Sequence, residues 1–277
     1  TLSTITVSAT GGATATVGNI GLDATTDSTT DLSTTITLTA DTSSTVTLDE
    51  VNNQYGSIAL TASGAGNFNI GDATSNVSFA SASTFDLSSA TGTNTLNTLG
   101  AGATTTVTLA SEAGTDTIQV DDDATIVVKN FQTGASSDVL AIDVSAFGSS
   151  MITGTSSTPA NSGKELEEIS AAETITASDD LMVLTGEIYA TTALVETALE
   201  IGGTRALTFS STTTAADDIN VLWSDGSNSY LGTLNIGTII STSTIASGDS
   251  TLTSVVELQG VDVSTSGTFV AGNFTLI

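Results

Sequence analysis

From Leu2 to about Val128 the apolar residues come as pairs separated by one small or polar residue. The pairs are Ile5/Val7, Ile36/Leu38, Val46/Leu48, Ile58/Leu60, Phe68/Ile70, Val77/Phe79, Phe85/Leu87, Val107/Leu109, Ile118/Val120 and Ile126/Val128. Period-two alternation marks a strand with one buried face. From Ile36 to Ile126 the pairs return every 8 to 12 residues, with one longer gap bridged by Leu96 and Leu99. Two architectures fit this spacing, an antiparallel sandwich and a parallel β-solenoid. The Asn-Gly and Asp-Gly hairpin signals are absent from this half, and Thr and Ser fill the outward positions. That favours the solenoid, in which Thr rows stack from rung to rung.

The pattern changes at Thr153–Gly163, which holds the only proline, Pro159. The expected organisation is a repeat domain over 1–152, a linker over 153–163 and a second domain over 164–277. Lys164 to Ile169 reads as a short helical turn. Thr192 to Glu200 reads as a helix with Leu194, Val195, Ala198 and Leu199 on one face, Thr192 as N-cap and Gly202-Gly203 as the stop. Strand signals follow at Leu207/Phe209, Ile219/Val221/Trp223, Tyr230 and Leu234/Ile236, with a hairpin at Ser224–Asn228. The expected fold is predominantly all-β: a parallel β-solenoid or β-roll-like first half, then a β-rich domain with one short helix.

Composition sharpens this. Thr (55) and Ser (37) make up a third of the 277 residues, and β-branched Thr suits a pleated surface. With 39% hydrophobic residues and a mean hydropathy of +0.26, the chain can build a core. There is no His and no Cys. This removes His base catalysis, Ser–His and Cys nucleophiles, His/Cys zinc sites and disulfides. Carboxylate pairs also run glycosidases, but 1 Trp, 3 Tyr and 8 Phe are few for lining sugar subsites, so an enzyme is not expected. Thirty acidic against three basic residues give a net charge of −27. Nucleic acid and anionic membrane are thereby disfavoured as partners, and cations are favoured. No apolar run is long enough to span a membrane, and the N-terminus lacks the pattern of a signal peptide, so an export signal is expected either elsewhere or already removed.

Gly92-Thr93-Asn94-Thr95-Leu96 and Gly114-Thr115-Asp116-Thr117-Ile118, 22 residues apart, match the core of the G-x-[DN]-x-U calcium-binding β-roll repeat without its full glycine-rich nonapeptide. Val128 to Gly134, followed by Asp138 to Gly148, resembles the stretch that follows the repeats in RTX-type proteins. Val256 to Asp262 and Phe269 to Ile277 are similar to the C-terminal ends of large bacterial surface proteins exported by type I secretion. The resemblance covers about Gly92 to the C-terminus. It implies a secreted, calcium-binding protein of the surface-layer or adhesin kind, outside the outer membrane, with its export signal in an uncleaved C-terminal region. No surface-anchoring domain is recognisable, so the chain is expected to be the carboxy-terminal part of something longer.

Three adjacent carboxylates, Asp121-Asp122-Asp123, sit at a turn between two strands and repel unless a cation is shared; Ca²⁺ takes six to eight oxygens from such loops. The alternative is a solvated turn. Asp116, Asn94 and Asp138 join the candidate ligands through the family-like surroundings. Asp179-Asp180 and Asp217-Asp218 each precede an apolar strand, where they either protect a sheet edge or supply calcium ligands. Asp23, Asp27, Asp31, Asp49, Glu50 and Asp72 read as solvated, Asp225-Gly226 as a hairpin turn, and the sequons at Asn76 and Asn273 as chance. The favoured function is a structural protein that assembles with copies of itself through calcium, since subunits of this charge repel without divalent ions between them. The alternatives are an adhesin or carbohydrate-binding module that meets cell-surface polysaccharide, and a carrier segment of a longer secreted protein.

Overall fold

The computed structural model describes residues 3–18, 20–21, 33–53, 56–71, 78–79, 81–97, 103–111, 114–120, 125–143, 166–175, 179, 181–209, 218–237 and 244–277. They form two compact units. Unit 1 comprises Thr1–Gln132 and Ser136–Ala141, and unit 2 comprises Thr133–Ala135 and Ile142–Ile277. The units thus divide ahead of the linker expected at 153–163, which lies outside the described residues.

Unit 1 is the parallel solenoid. Its rungs are β1 (Ser3–Ala9), β2 (Thr14–Val17) and β3 (Ile20–Gly21); β4 (Thr34–Ala40), β5 (Thr45–Leu48) and β6 (Val51–Asn53); β7 (Ile58–Gly64), β8 (Asn67–Ile70) and β9 (Ser78–Phe79); β10 (Ser83–Ala90) and β11 (Thr95–Leu96); β12 (Thr105–Thr108) and β13 (Thr117–Val120); and β14 (Ile126–Lys129) and β15 (Val139–Ile142). Like strands of successive rungs pair in parallel: β1, β4, β7, β10, β12 and β14 make one wall, and β2, β5, β8, β11, β13 and β15 the second. The first three rungs add a short third wall of β3, β6 and β9.

The paired apolar residues explain this winding. Ile5, Ile36, Leu60, Phe85, Val107 and Val128 are consecutive register partners on the first wall. Val17, Leu48, Ile70, Leu96 and Ile118 are their counterparts on the second. From Ile36 and Leu48 onward these side chains are buried, and alternate residues, such as Thr35, Thr37 and Thr39 of β4, face outward. A one-residue slip would turn each column out to solvent, so burial itself fixes the register. The corner before the second wall also constrains the sequence. A Cβ on Gly92 would lie 2.2 Å from the Gly66 carbonyl oxygen, and one on Gly114 would lie 2.3 Å from that of Gly92. Backbones stack there at distances only glycine permits. Ser136, with φ of 64°, follows 22 positions after Gly114.

Unit 2 contains β16 (Leu166–Ile169), β17 (Glu173–Ile175), β18 (Leu181–Leu184), α1 (Thr192–Leu199), β19 (Leu207–Phe209), β20 (Asp218–Ser224), β21 (Asn228–Ile236), β22 (Ser250–Gln259), a 3₁₀ turn at Ala271–Asn273 and β23 (Phe274–Leu276). Strands β16, β18 and β20 are parallel, and β20, β21 and β22 antiparallel. Strands β17 and β19 form a separate parallel pair. The core gathers Met182, Leu184, Val195, Leu199, Phe209, Val221, Trp223 and Leu234.

Three local expectations change. Of the helical turn expected over Lys164 to Ile169, the described part Leu166–Ile169 is a strand: it pairs residue for residue with Leu181–Leu184, and that pairing overrides the helix propensity of Glu167 and Glu168. The N-cap of α1 is Thr191, which is extended and accepts a bond from the Leu194 N–H at 3.4 Å. Leu194 is exposed, because the buried stripe is Val195, Ala198 and Leu199. The Ser224–Asn228 hairpin forms: Asp225 Oδ1 accepts from the N–H groups of Ser227 and Asn228, both at 2.8 Å, and Gly226 takes φ of 92°.

Candidate functional site: a buried asparagine and aspartate column

The two repeat-like segments differ from their neighbours at one position. On the second wall the inward column runs Val46 and Phe68, paired in register, and then becomes polar at Asn94, Asp116 and Asp138. These three are 1%, 4% and 1% exposed. Each side chain reaches back to the rung before it. The Phe68 N–H donates to Asn94 Oδ1 at 3.2 Å, the Asn94 N–H to Asp116 Oδ1 at 3.1 Å, and the Asp116 N–H to Asp138 Oδ1 at 3.0 Å. The Asn94 Nδ2 donates to Asp116 Oδ1 at 2.8 Å and to the Ala90 carbonyl at 3.2 Å. Asp138 Oδ2 accepts from the Gln132 N–H at 2.8 Å. At or just before the start of the second-wall strands, the N–H groups of Phe68, Asn94 and Asp116 find their partners in these side chains. Analogues occur elsewhere: Asp41 and Ser44 accept from the Gly11 and Gly12 N–H groups and Asn67 from Thr93 in exposed or partly buried settings, and Ser83 accepts from Ile58 in the interior.

Burial, reinforced by the charge of Asp138, pushes the Asp116 carboxyl up to about 6, against the pull of the bonds from Asn94. Burial also raises Asp138, against the N–H donors of Gln132 and Asp116. On the exposed corner the bond from Ser44 and then that from the Gly11 N–H hold Asp41 below its ordinary value.

The candidate calcium ligands separate into groups. Asn94, Asp116 and Asp138 are brought together, and Asn94 Oδ1, Asp116 Oδ1 and both oxygens of Asp138 accept from N–H donors, which leaves few oxygens for an ion that takes six to eight. Asp218 is the first residue of β20, which pairs with β18. Asp218 Oδ1 accepts from Asn235 Nδ2 at 2.7 Å. Asp121, Asp122, Asp123, Asp180 and Asp217 lie outside the described residues, as do Asp23, Asp27, Asp31, Asp72 and Asn76. Among the described residues no group of three or more acidic side chains converges on a common point.

Two residues carry more than their sequence signal announced. The Asn273 side chain is fully buried; its Oδ1 accepts from the Gly134 N–H at 2.9 Å and the Val270 N–H at 3.1 Å, and its Nδ2 donates to the Gly134 carbonyl. This ties the two family-like segments together within unit 2 and leaves the sequon no exposed amide. Arg205, 7% exposed, donates to the Thr185 carbonyl at 3.0 Å and pairs with Glu187 at 3.7 Å. A lone basic residue in a Leu- and Thr-rich stretch offers no pattern from which to foresee that contact.

Outside the column, the outer face of the second wall is uncharged. Thr16, Thr47, Asn69, Thr95 and Thr117 form one row, with Thr14, Thr45 and Asn67 beside it. Comparison with family models, curated proteins and solved structures returns no match.

Proposed function

We propose that the chain is a structural protein that assembles with copies of itself at a bacterial surface, with calcium bridging acidic turns between subunits. One observation carries this reading. In unit 1 the polar side chains that an enzyme would converge on a cavity are instead repeated rung after rung, capping the backbone of the preceding turn of chain. Such an array builds a regular body. The net charge of −27 supplies the need for cations: like-charged subunits approach only when divalent ions neutralise the contact. Asp121 to Asp123 and the Asp179-Asp180 and Asp217-Asp218 pairs are the ligands proposed, and the Asn94, Asp116 and Asp138 column is not.

Sedimentation velocity of the purified chain during calcium titration tests the reading. The expected result is a calcium-dependent increase in size, reversed by chelator and lost when Asp121, Asp122 and Asp123 are all changed to Asn. A sedimentation coefficient indifferent to calcium contradicts it. The uncharged rows of Thr and Asn favour a second reading, a surface that meets polysaccharide hydroxyls. Glycan-array binding by single chains, abolished by Thr47→Lys, would support that one instead.

A further inference from the structure

We propose that the first rung of the solenoid is a docking edge for a second copy of the same chain, with β1 of one protomer pairing antiparallel to β1 of the other about a two-fold axis at Thr6. The contact rests on the reading that copies assemble, but it needs no calcium. The rung is open on one side: β1 ends its sheet with β4 as its neighbour, and β2 ends the second wall with β5. Ile5, Val7, Ala15 and Val17 are half-exposed, whereas their register partners Ile36, Leu38, Val46 and Leu48 are fully buried. The Asp41 N–H donates to the Ala9 carbonyl at 3.2 Å, so the backbone groups of Ala9 face β4. Alternation along the strand turns those of Ile5 and Val7 the same way and those of Thr4, Thr6 and Ser8 to the free edge. Natural edges are blunted by charge, proline or a bulge. In unit 2 the end strand β16 carries Glu167 and Glu168. In β1 the pairing with β4 has no bulge, and no Asp, Glu, Lys, Arg or Pro precedes Asp23.

This edge is complementary to itself. From Thr4 to Ser8 the strand reads Thr-Ile-Thr-Val-Ser, the same alternation in both directions about Thr6. A two-fold axis at Thr6 sets Thr6 against its own copy and Thr4 against Ser8, and each of these pairs exchanges both N–H···O bonds. The same axis sets Ile5 beside Val7 on the inward face, which closes the exposed end of the core, and the contact is isologous, as a closed dimer requires. Asp41 reaches the corner after β1, where the Gly11 N–H donates to it at 2.7 Å. The axis places the two Asp41 corners at opposite ends of the paired strands, about 20 Å apart at about 3.3 Å per residue. That exceeds the screening length of about 8 Å at physiological ionic strength. The total charge of −27 still opposes approach, so without calcium the pair forms only where salt screens it.

The test is sedimentation velocity of the full chain in chelator, at low salt and in about 1 M NaCl, where the screening length falls to about 3 Å. Wild type and Thr6→Val should be single chains at low salt and dimers in high salt. Thr6→Pro deletes an N–H that faces away from β4, so the rung still forms, as far-UV circular dichroism checks. It should weaken the dimer at least about tenfold, because both central bonds are lost. The chain has no cysteine of its own. Oxidation of Thr6→Cys by diamide in high salt should link two chains, since a hydrogen-bonded antiparallel pair sets the Cα atoms about 5.5 Å apart, within reach of a disulfide. Thr61→Cys, in the same outward row two rungs further in, should stay unlinked. Single wild-type chains in high salt overturn the pairing and leave the edge to a different strand. A Thr6→Pro dimer as strong as wild type, or equal linking at 6 and 61, also overturns it. A dimer in high salt without calcium-driven growth removes the calcium bridges and leaves this contact standing; calcium-driven growth with no dimer in high salt does the reverse.

Discussion

Replacing Asn94 with Ala isolates the interaction that the column contributes to the solenoid. The substitution removes the acceptor for the Phe68 N–H and the donor to Asp116 Oδ1, both in the interior. A buried N–H left without a partner costs about 1–3 kcal/mol, and the lost bond to a carboxylate adds about 1.5–3 kcal/mol. Asn94→Ala should therefore destabilise unit 1 by about 3–5 kcal/mol. Asn67 provides an internal comparison, since its Oδ1 accepts from the Thr93 N–H at 3.0 Å in an exposed setting. Water replaces that acceptor, and Asn67→Ala should cost about 0.5–1 kcal/mol. Urea unfolding by far-UV circular dichroism measures the difference, and the fluorescence of Trp223, the only tryptophan, follows unit 2 separately. Amide hydrogen exchange at Phe68 should accelerate in Asn94→Ala and stay unchanged in Asn67→Ala. Equal, sub-kilocalorie costs for the two variants would refute the reasoning, because exposure would then not decide the value of the bond.

Thr34 and Thr105 point into the core of the first wall, and their hydroxyls have no hydrogen-bond partner. Thr105→Val keeps the branched shape and should raise stability by about 1–2 kcal/mol, read as a higher urea midpoint. Gly114→Ala should lower it by about 1–3 kcal/mol or more, because the added Cβ meets the Gly92 carbonyl, whereas Gly134→Ala meets no atom within 4 Å and bears only the backbone strain of its φ of 103°. Thr191→Ala removes the N-cap of α1 and should cost about 1 kcal/mol by thermal unfolding of unit 2.

The solenoid was legible because its signal is repeated. Each inward pair such as Ile36/Leu38 has the period of a strand, and the absence of tight hairpin turns separated parallel winding from a meander. Residues at the ends of elements were less legible. Leu166–Ile169 looks helical alone and becomes a strand only because Leu181–Leu184 lies beside it. Thr191 and Thr192 are equivalent as letters, and only the extended backbone at Thr191 identifies the cap. The column was half visible: the 22-residue spacing singled out Asn94 and Asp116, and Asp138 was already in the candidate set. Their role was not visible, because a G-x-[DN]-x-U signature has the same residues whether the side chain holds a cation or a backbone N–H. The deciding features, burial and the direction in which the N–H groups point, exist only after the rungs have stacked. Asn273 is the same kind of case, since its partner Gly134 is 139 positions away.

Electron microscopy of the purified chain in calcium and in chelator tests the central claim most directly. A self-assembling structural protein should form ordered sheets or filaments in calcium that disperse to single chains when the calcium is removed. Single chains under both conditions would contradict it.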